Sequence, residues 1–158
     1  MTDVPPLRIR VYQPADLLVV HELNRAGLAA AGVPADADVY AGDLDDPAAT
    51  YLRGRAILLV GEADGRVVAM GALQEVDRDS CEITRMRVAA PVQGRGYGRS
   101  MLHALEDHAV RLGYRRAVLL TGPDQHPAID LYRSAGYTVT SWEQHGLIPG
   151  IRMTKSLP

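Results

Sequence analysis

Apolar positions along this chain recur at two spacings, and the changes between them predict an order of strands and helices. Leu7, Ile9 and Val11 alternate as a strand, after which Pro14 opens a helical pattern through Leu17, Leu18, His21 and Leu28 toward Gly32. Residues 32–46 are polar and rich in small side chains, and Asp46-Pro47 then supplies a cap and first-turn proline for a short helix ending near Gly54. Strands follow at 56–62 and 66–76, joined by the hairpin signal Asp64-Gly65. A turn at 77–80 leads into an alternating strand at 81–88, and Met101, Leu102, Leu105, Ala109 and Leu112 mark a helix over 98–112 that stops at Gly113. A strand at 117–121, a short helix from Pro127 and two last strands around 138–142 and 150–155 complete the order. A helix between two strands of one sheet predicts parallel neighbours there, so the sheet is expected to be mixed.

Between the strand at 81–88 and its following helix lies Gln93-Gly94-Arg95-Gly96-Tyr97-Gly98. A glycine loop opening a helix can aim several backbone N–H groups at one point. The helix's unpaired first-turn donors and the positive end of its dipole converge on the same point, which suits an anion such as a pyrophosphate. Two familiar loops do not fit. The dinucleotide fingerprint needs a third glycine where either register has Arg99 or Met101, and a Walker loop needs Gly-Lys, whereas the chain's one lysine is Lys155.

What remains, Gln93-x-x-Gly96-x-Gly98, resembles the coenzyme A loop of the GNAT superfamily of acyl-CoA-dependent N-acyltransferases. Downstream, Ala128-Ile129-Asp130-Leu131-Tyr132-Arg133-Ser134-Ala135-Gly136-Tyr137 resembles the family's tyrosine-bearing helix closed by glycine and an aromatic residue. Upstream, Glu82-Ile83-Thr84-Arg85-Met86-Arg87-Val88 is similar to its fourth strand, with glutamate at the spacing seen in histone-type members. The resemblance covers nearly the whole chain. It implies one α/β (α+β) domain over residues 1–158: a central, mostly antiparallel mixed sheet of about seven strands, splayed at strands four and five and flanked by about four helices.

It also implies a site and a reaction. Acetyl-CoA would be the co-substrate, its pantetheine arm bonded by the main chain of Met86, Arg87 and Val88. Gln93, Gly94, Arg95, Gly96, Tyr97, Gly98, Arg99 and Ser100 would hold the pyrophosphate. Gln125 stands where the signature usually has asparagine. Acetyl transfer to a primary amine needs a base, a donor to the developing oxyanion and a proton for the departing thiolate. Glu82 is the candidate base, acting through water; strict alternation puts it on one face with Thr84, Met86 and Val88. Its ordinary alternative is an exposed strand residue paired with an arginine such as Arg85. A backbone N–H near Met86 or Arg87 is the expected oxyanion donor, and Tyr132 the candidate acid, with core packing as its alternative. The acceptor is a small-molecule amine or a protein amine, terminal or lysine. The rival class is an inactive module that senses acyl-CoA.

Composition narrows the partners. The 158 residues are 47% hydrophobic and 23% charged, enough to bury a core. The net charge of -2 is uneven. Residues 1–50 hold eight acidic and three basic side chains, and the remainder eleven acidic and fourteen basic. Arg85, Arg87, Arg95 and Arg99 near the loop suit coenzyme phosphates. A pI near 6.2 and no basic helix argue against nucleic acid. No apolar run reaches the ~20 residues of a membrane span and no signal peptide is evident, which predicts a cytoplasmic protein. Cys81, the sole cysteine, reads as core rather than nucleophile. Five scattered histidines lack ligand spacing, so no metal site is expected. His21 with Glu22 could reach the acceptor pocket but reads, like Tyr40 and Tyr51, as an ordinary helix pair. Asp43, Asp45 and Asp46 read as a solvated cap or a lure for a cationic amine. Trp142 reads as core or a contact of the homodimer that the resemblance implies.

Overall fold

A computed structural model describes residues 4–33, 42–146 and 148–158. Seven strands form one sheet in the order β1-β2-β3-β4-β5-β7-β6: β1 (Arg8–Val11), β2 (Ile57–Ala63), β3 (Arg66–Glu75), β4 (Ser80–Val88), β5 (Arg116–Thr121), β6 (Thr138–His145) and β7 (Ile148–Ser156). All neighbours are antiparallel except β4 and β5, which flank the crossover helix and run parallel as its topology predicts. Among the described residues, four α-helices accompany the sheet: α1 (Leu17–Ala30), α2 (Pro47–Tyr51), α3 (Tyr97–Arg111) and α4 (His126–Ser134). A 3₁₀ turn at Pro14–Asp16 leads into α1, and another at Ala90–Val92 precedes the glycine loop.

Local chemistry accounts for the boundaries. Asp46 caps α2 by accepting from Ala49 N–H at 3.3 Å, with Pro47 in the first turn. The β2–β3 hairpin turns through Asp64 and Gly65 at φ 52° and 75°, the paired positive angles of a type I′ turn.

The alternation of β2 and β3 splits the core into two layers. Leu59, Ala69 and Leu73 pack with Met101, Leu102 and Leu105 of α3 and with Ile129 and Tyr132 of α4. Leu58, Val60, Met70 and Ala72 face the other way, onto Val20 and Leu23 of α1 and Tyr51 of α2. Each fully buried leucine contributes about 1.5–3 kcal/mol, so both faces of β2–β4 are firmly covered. Cys81 is buried in the α3 layer, and burial pushes its thiol up to about 11, as expected of a core residue. Trp142 is not core: on edge strand β6 it is 69% exposed. Tyr40 lies outside the described residues. Among those described, no helix is long and apolar enough to cross a membrane.

Candidate active site

β4 and β5 are hydrogen-bonded neighbours only from Ser80↔Arg116 to Ile83↔Leu119. Beyond Ile83, β4 continues to Val88 with no partner on that side, so the two strands part. An irregularity lies at the same place. β3 advances two residues, Met70 to Ala72, while β4 goes from Arg87 to Thr84, leaving one extra residue in β4. Arg85, with φ at 56°, takes up the excess as a bulge.

The bulge changes which residues share a face. Glu82 and Thr84 remain on the α1 side, with Glu82 opposite Gln74, but Met86 and Val88 pack into the α3 layer beside Cys81 and Ile83. Strict alternation is therefore corrected: Glu82 does not share a face with Met86 and Val88. The main chain is re-aimed as well. Ala89 N–H donates to Val68 O at 2.8 Å, so by antiparallel alternation Arg87 bonds toward β3 and Met86 and Val88 turn their backbone groups to the open gap. Arg87 consequently offers the site its side chain, since its main chain is taken up by Met70.

Glu82 is half-buried and doubly engaged. Its Oε1 accepts from Gln74 Nε2 at 3.0 Å and its Oε2 lies 3.2 Å from Arg152 Nη1. Arg152 also grips Glu143, whose carboxyl it holds far below the ordinary value, and His145 Nε2 stands 3.1 Å from Glu143 Oε1. The arginine beside Glu82 is thus Arg152 rather than Arg85.

Tyr132 is 8% exposed and meets Tyr137 edge-on, ring centroids 5.9 Å apart. Burial pushes its phenol up to about 12, while the Arg87 guanidinium pulls the other way. Its hydroxyl has no described hydrogen-bond partner. No fully buried side-chain polar atom among the described residues is unpaired, so this oxygen touches solvent. Tyr132 therefore combines a packing role with a free donor.

The loop behaves as a donor array. Gly94 and Gly96 sit at φ 82° and 86°, and Gly96 is the left-handed residue that starts α3. No described protein acceptor takes the N–H groups from Gly94 to Arg99, whereas Ser100 N–H and Oγ both turn back to Gly96 O. Gln93 Nε2 donates to Val88 O at 2.9 Å, tying the loop to the end of β4. A Cβ on Gly98 would lie 3.4 Å from Leu131 and 3.8 Å from Val88, so loop, β4 and α4 meet there. Arg99 reaches Ser134 Oγ at 2.7 Å and Arg95 is exposed. Tyr97 is buried with its hydroxyl on Pro5 O, which leaves only its main chain for a ligand. Gln125 starts α4, its side chain against Gly122.

Arg85 and Arg87 do not attend the loop. Both reach the α1 side and donate to Asn24 Oδ1, Arg85 at 3.2 Å and Arg87 at 3.3 and 3.2 Å. Arg85 also forms a two-pronged pair with Asp43 at 3.0 and 2.7 Å, and Tyr51 OH donates to the same carboxylate at 2.6 Å. Burial opposes the charged form of Asp43, but the bonds from Arg85 and Tyr51 prevail and hold its carboxyl below the usual range. Asp43 is thus neither a solvated cap nor free for an amine. His21 Nε2 meets Leu44 O at 2.7 Å and fastens the same segment to α1. Asn24 and Arg152 were not singled out by the sequence, and the side chain of Arg87 was assigned to the coenzyme phosphates instead, because nothing local marks residues whose partners lie tens of positions away.

The chain as a whole is similar to known proteins. The acetyltransferase (GNAT) family model matches residues 22–137. The chain belongs to the GNAT acetyltransferase family. An acetyltransferase of Streptococcus agalactiae superposes with a TM-score of 0.85 at 15% identity, covering 96% of this chain and 98% of that one. A protein of Salmonella typhimurium, described as an acetyltransferase and solved with its cofactor acetyl-CoA, is 27% identical with a TM-score of 0.79 over 97% and 95% of the two chains. In sequence, N-acetyltransferase family 8 member 2 of Rattus norvegicus is 30% identical over 62% of this GNAT chain and 46% of its own length. The match thus spans under half of that relative. IAA acetyltransferase of Azospirillum brasilense is 32% identical over 63% of this chain and 71% of its own.

Proposed function

We propose that this GNAT protein is an acetyl-CoA-dependent N-acetyltransferase that acts on a primary amine by direct attack within a ternary complex. Three features, one each from the glycine loop, β4 and α4, support the reading. These are the unbonded N–H groups of Gly94 to Arg99, the main chain of Met86 and Val88, and the free hydroxyl of Tyr132. The residues fit the coenzyme. The loop's donors suit a pyrophosphate with Arg95 and Arg99 at its edge, and the unpaired side of β4 suits an amide-bearing arm that bonds like an added strand. Bound there, the coenzyme supplies the acetyl thioester that the amine attacks.

The chain's own groups then divide the work. Glu82 takes the amine's proton through water, since both carboxylate oxygens already have protein partners. The Met86 and Val88 N–H groups face charge developing on the carbonyl oxygen. Tyr132 gives a proton to the departing sulfur. Burial makes its phenol a weaker acid than a free one, so it stays protonated well above neutral pH. Tyr132→Phe should cut turnover by ~10²- to 10⁴-fold with acetyl-CoA affinity little changed. Glu82→Gln should lose rate at neutral pH and recover much of it at high pH, where the amine is already neutral. Rates with a panel of amines, read by thiol release from pH 6 to 10, check both. Parent-like rates for both variants at every pH would overturn the assigned roles. Tight acetyl-CoA binding by the parent with no transfer to any amine would favour an acyl-CoA sensor instead.

A further inference from the structure

Arg87 is the charged side chain that this chemistry leaves unused. Its stem lies along α1 over Gly27, where an added Cβ would come 2.7 Å from Nε and closer still to Cδ. Nε and Nη2 share one acceptor, Asn24 Oδ1, which also receives Arg85 Nη1. Three guanidinium donors on one neutral amide oxygen exceed its two lone pairs, so none of these bonds is strong. Arg85 has Asp43 as counter-ion, whereas Arg87 has no carboxylate within ion-pair distance among the described residues. Burial, with the neighbouring Arg85, lowers Arg87 to about 10, the mark of a cation lacking compensation. The Arg87 guanidinium also draws the Tyr132 phenol down against the effect of burial, so its charge is felt at Tyr132.

On the same face, two carboxylates, Glu82 and Glu143, share the single guanidinium of Arg152. Among the described residues of this face, Arg87 thus lacks a carboxylate partner, while Glu82 shares its only guanidinium with Glu143, which also has His145 at 3.1 Å. A zwitterion is the complement to Arg87 and Glu82 together, and a plain amine is not.

Building on the transferase reading, we infer that the acceptor is an amino carboxylate of amino-acid size. Its carboxylate is held by Arg87, and its amino group is turned toward Glu82. Arg87 is then a specificity residue: its fork takes the two carboxylate oxygens while Asn24 and Gly27 keep it in place.

The test uses matched ligands. Free L-amino acids, their α-carboxamides and the corresponding decarboxylated amines are compared in kcat/KM on the parent, Arg87→Met and Gly27→Ala. The parent should prefer the acid over its amide by roughly 10- to 100-fold, the loss expected when a built polar contact goes unmade. In Arg87→Met that preference should collapse to below about threefold, chiefly through KM for the acid. Gly27→Ala, which displaces the side chain but keeps its charge, should fall between. Calorimetry of an N-acetyl amino acid against its N-acetyl amide, with coenzyme A present, reads the same contact without turnover. Acid-selective binding that Arg87→Met abolishes, with no transfer in any assay, would retain the carboxylate site and overturn the transferase reading alone. Equal use and equal binding of acid and amide by the parent would overturn the carboxylate site, as would an Arg87→Met variant that loses acid and amide alike. If Arg87→Met fails to fold, the parent's acid-to-amide ratio and Gly27→Ala decide the question.

Discussion

Asp43 illustrates how unequal two ion pairs in one protein can be. Its pair with Arg85 leaves 13% and 11% of the two side chains exposed, whereas Arg55 and Glu75 meet at 2.8 Å with Glu75 half in water. Asp43→Asn would replace the two-pronged buried ion pair by a neutral amide, with the guanidiniums of Arg85 and Arg87 still side by side on Asn24. That should cost about 3–5 kcal/mol and lower the thermal midpoint by roughly 10 °C. Glu75→Gln should cost less than about 1 kcal/mol. Melting curves of both variants check the contrast, and equal shifts would show that Asp43 carries no such load. Nothing in the sequence separates Asp43 from Asp45 and Asp46, because its partner is 42 positions away. Asp46 was legible, since a cap followed by proline acts within one turn of chain.

At the scale of elements, local signals read well and one long-range irregularity did not. The Asp64-Gly65 turn, the glycine loop and the crossover helix each follow from chemistry within a few residues. The bulge at Arg85 does not, because it answers to β3 pairing on one side and to the departure of β5 on the other. One extra residue moved Met86 and Val88 to the opposite face from Glu82 and carried Arg85 and Arg87 away from the loop. The loop itself permits a sharp test. A Cβ at Gly96 meets nothing within 4 Å, so the obstacle to a side chain there is the backbone angle of 86°, not space within the protein. Gly96→Val should therefore leave the core folded while straining the loop by about 1–3 kcal/mol and costing at least ~10-fold in acetyl-CoA affinity. Circular dichroism with calorimetry follows the two effects separately. A folded variant with parental affinity would remove the loop from the coenzyme's grip.

Across the whole molecule, buried phenols link stability to alkaline pH. Burial raises Tyr12, Tyr51, Tyr114, Tyr132 and Tyr137, and Cys81 moves up to about 11. Each keeps its proton in the folded chain after the unfolded chain has begun to lose it, so each contributes stability that is complete below the unfolded value and lost as pH rises toward the folded one. Arg87 acts oppositely: lowered to about 10, it disfavours the fold while charged, and that cost eases above pH 10. The Tyr132 share can be isolated. Its phenol ionises near 10 when unfolded and near 12 when folded, so between pH 9 and 11 the parent should lose about 1.4 kcal/mol that Tyr132→Phe does not. Urea unfolding of both proteins at pH 9, 10 and 11 should therefore show their stability difference shifting in favour of the phenylalanine variant as pH rises. A constant difference would mean that the Tyr132 phenol is no weaker an acid folded than unfolded, and the raised phenol on which its role as a proton donor at high pH depends would be lost with it.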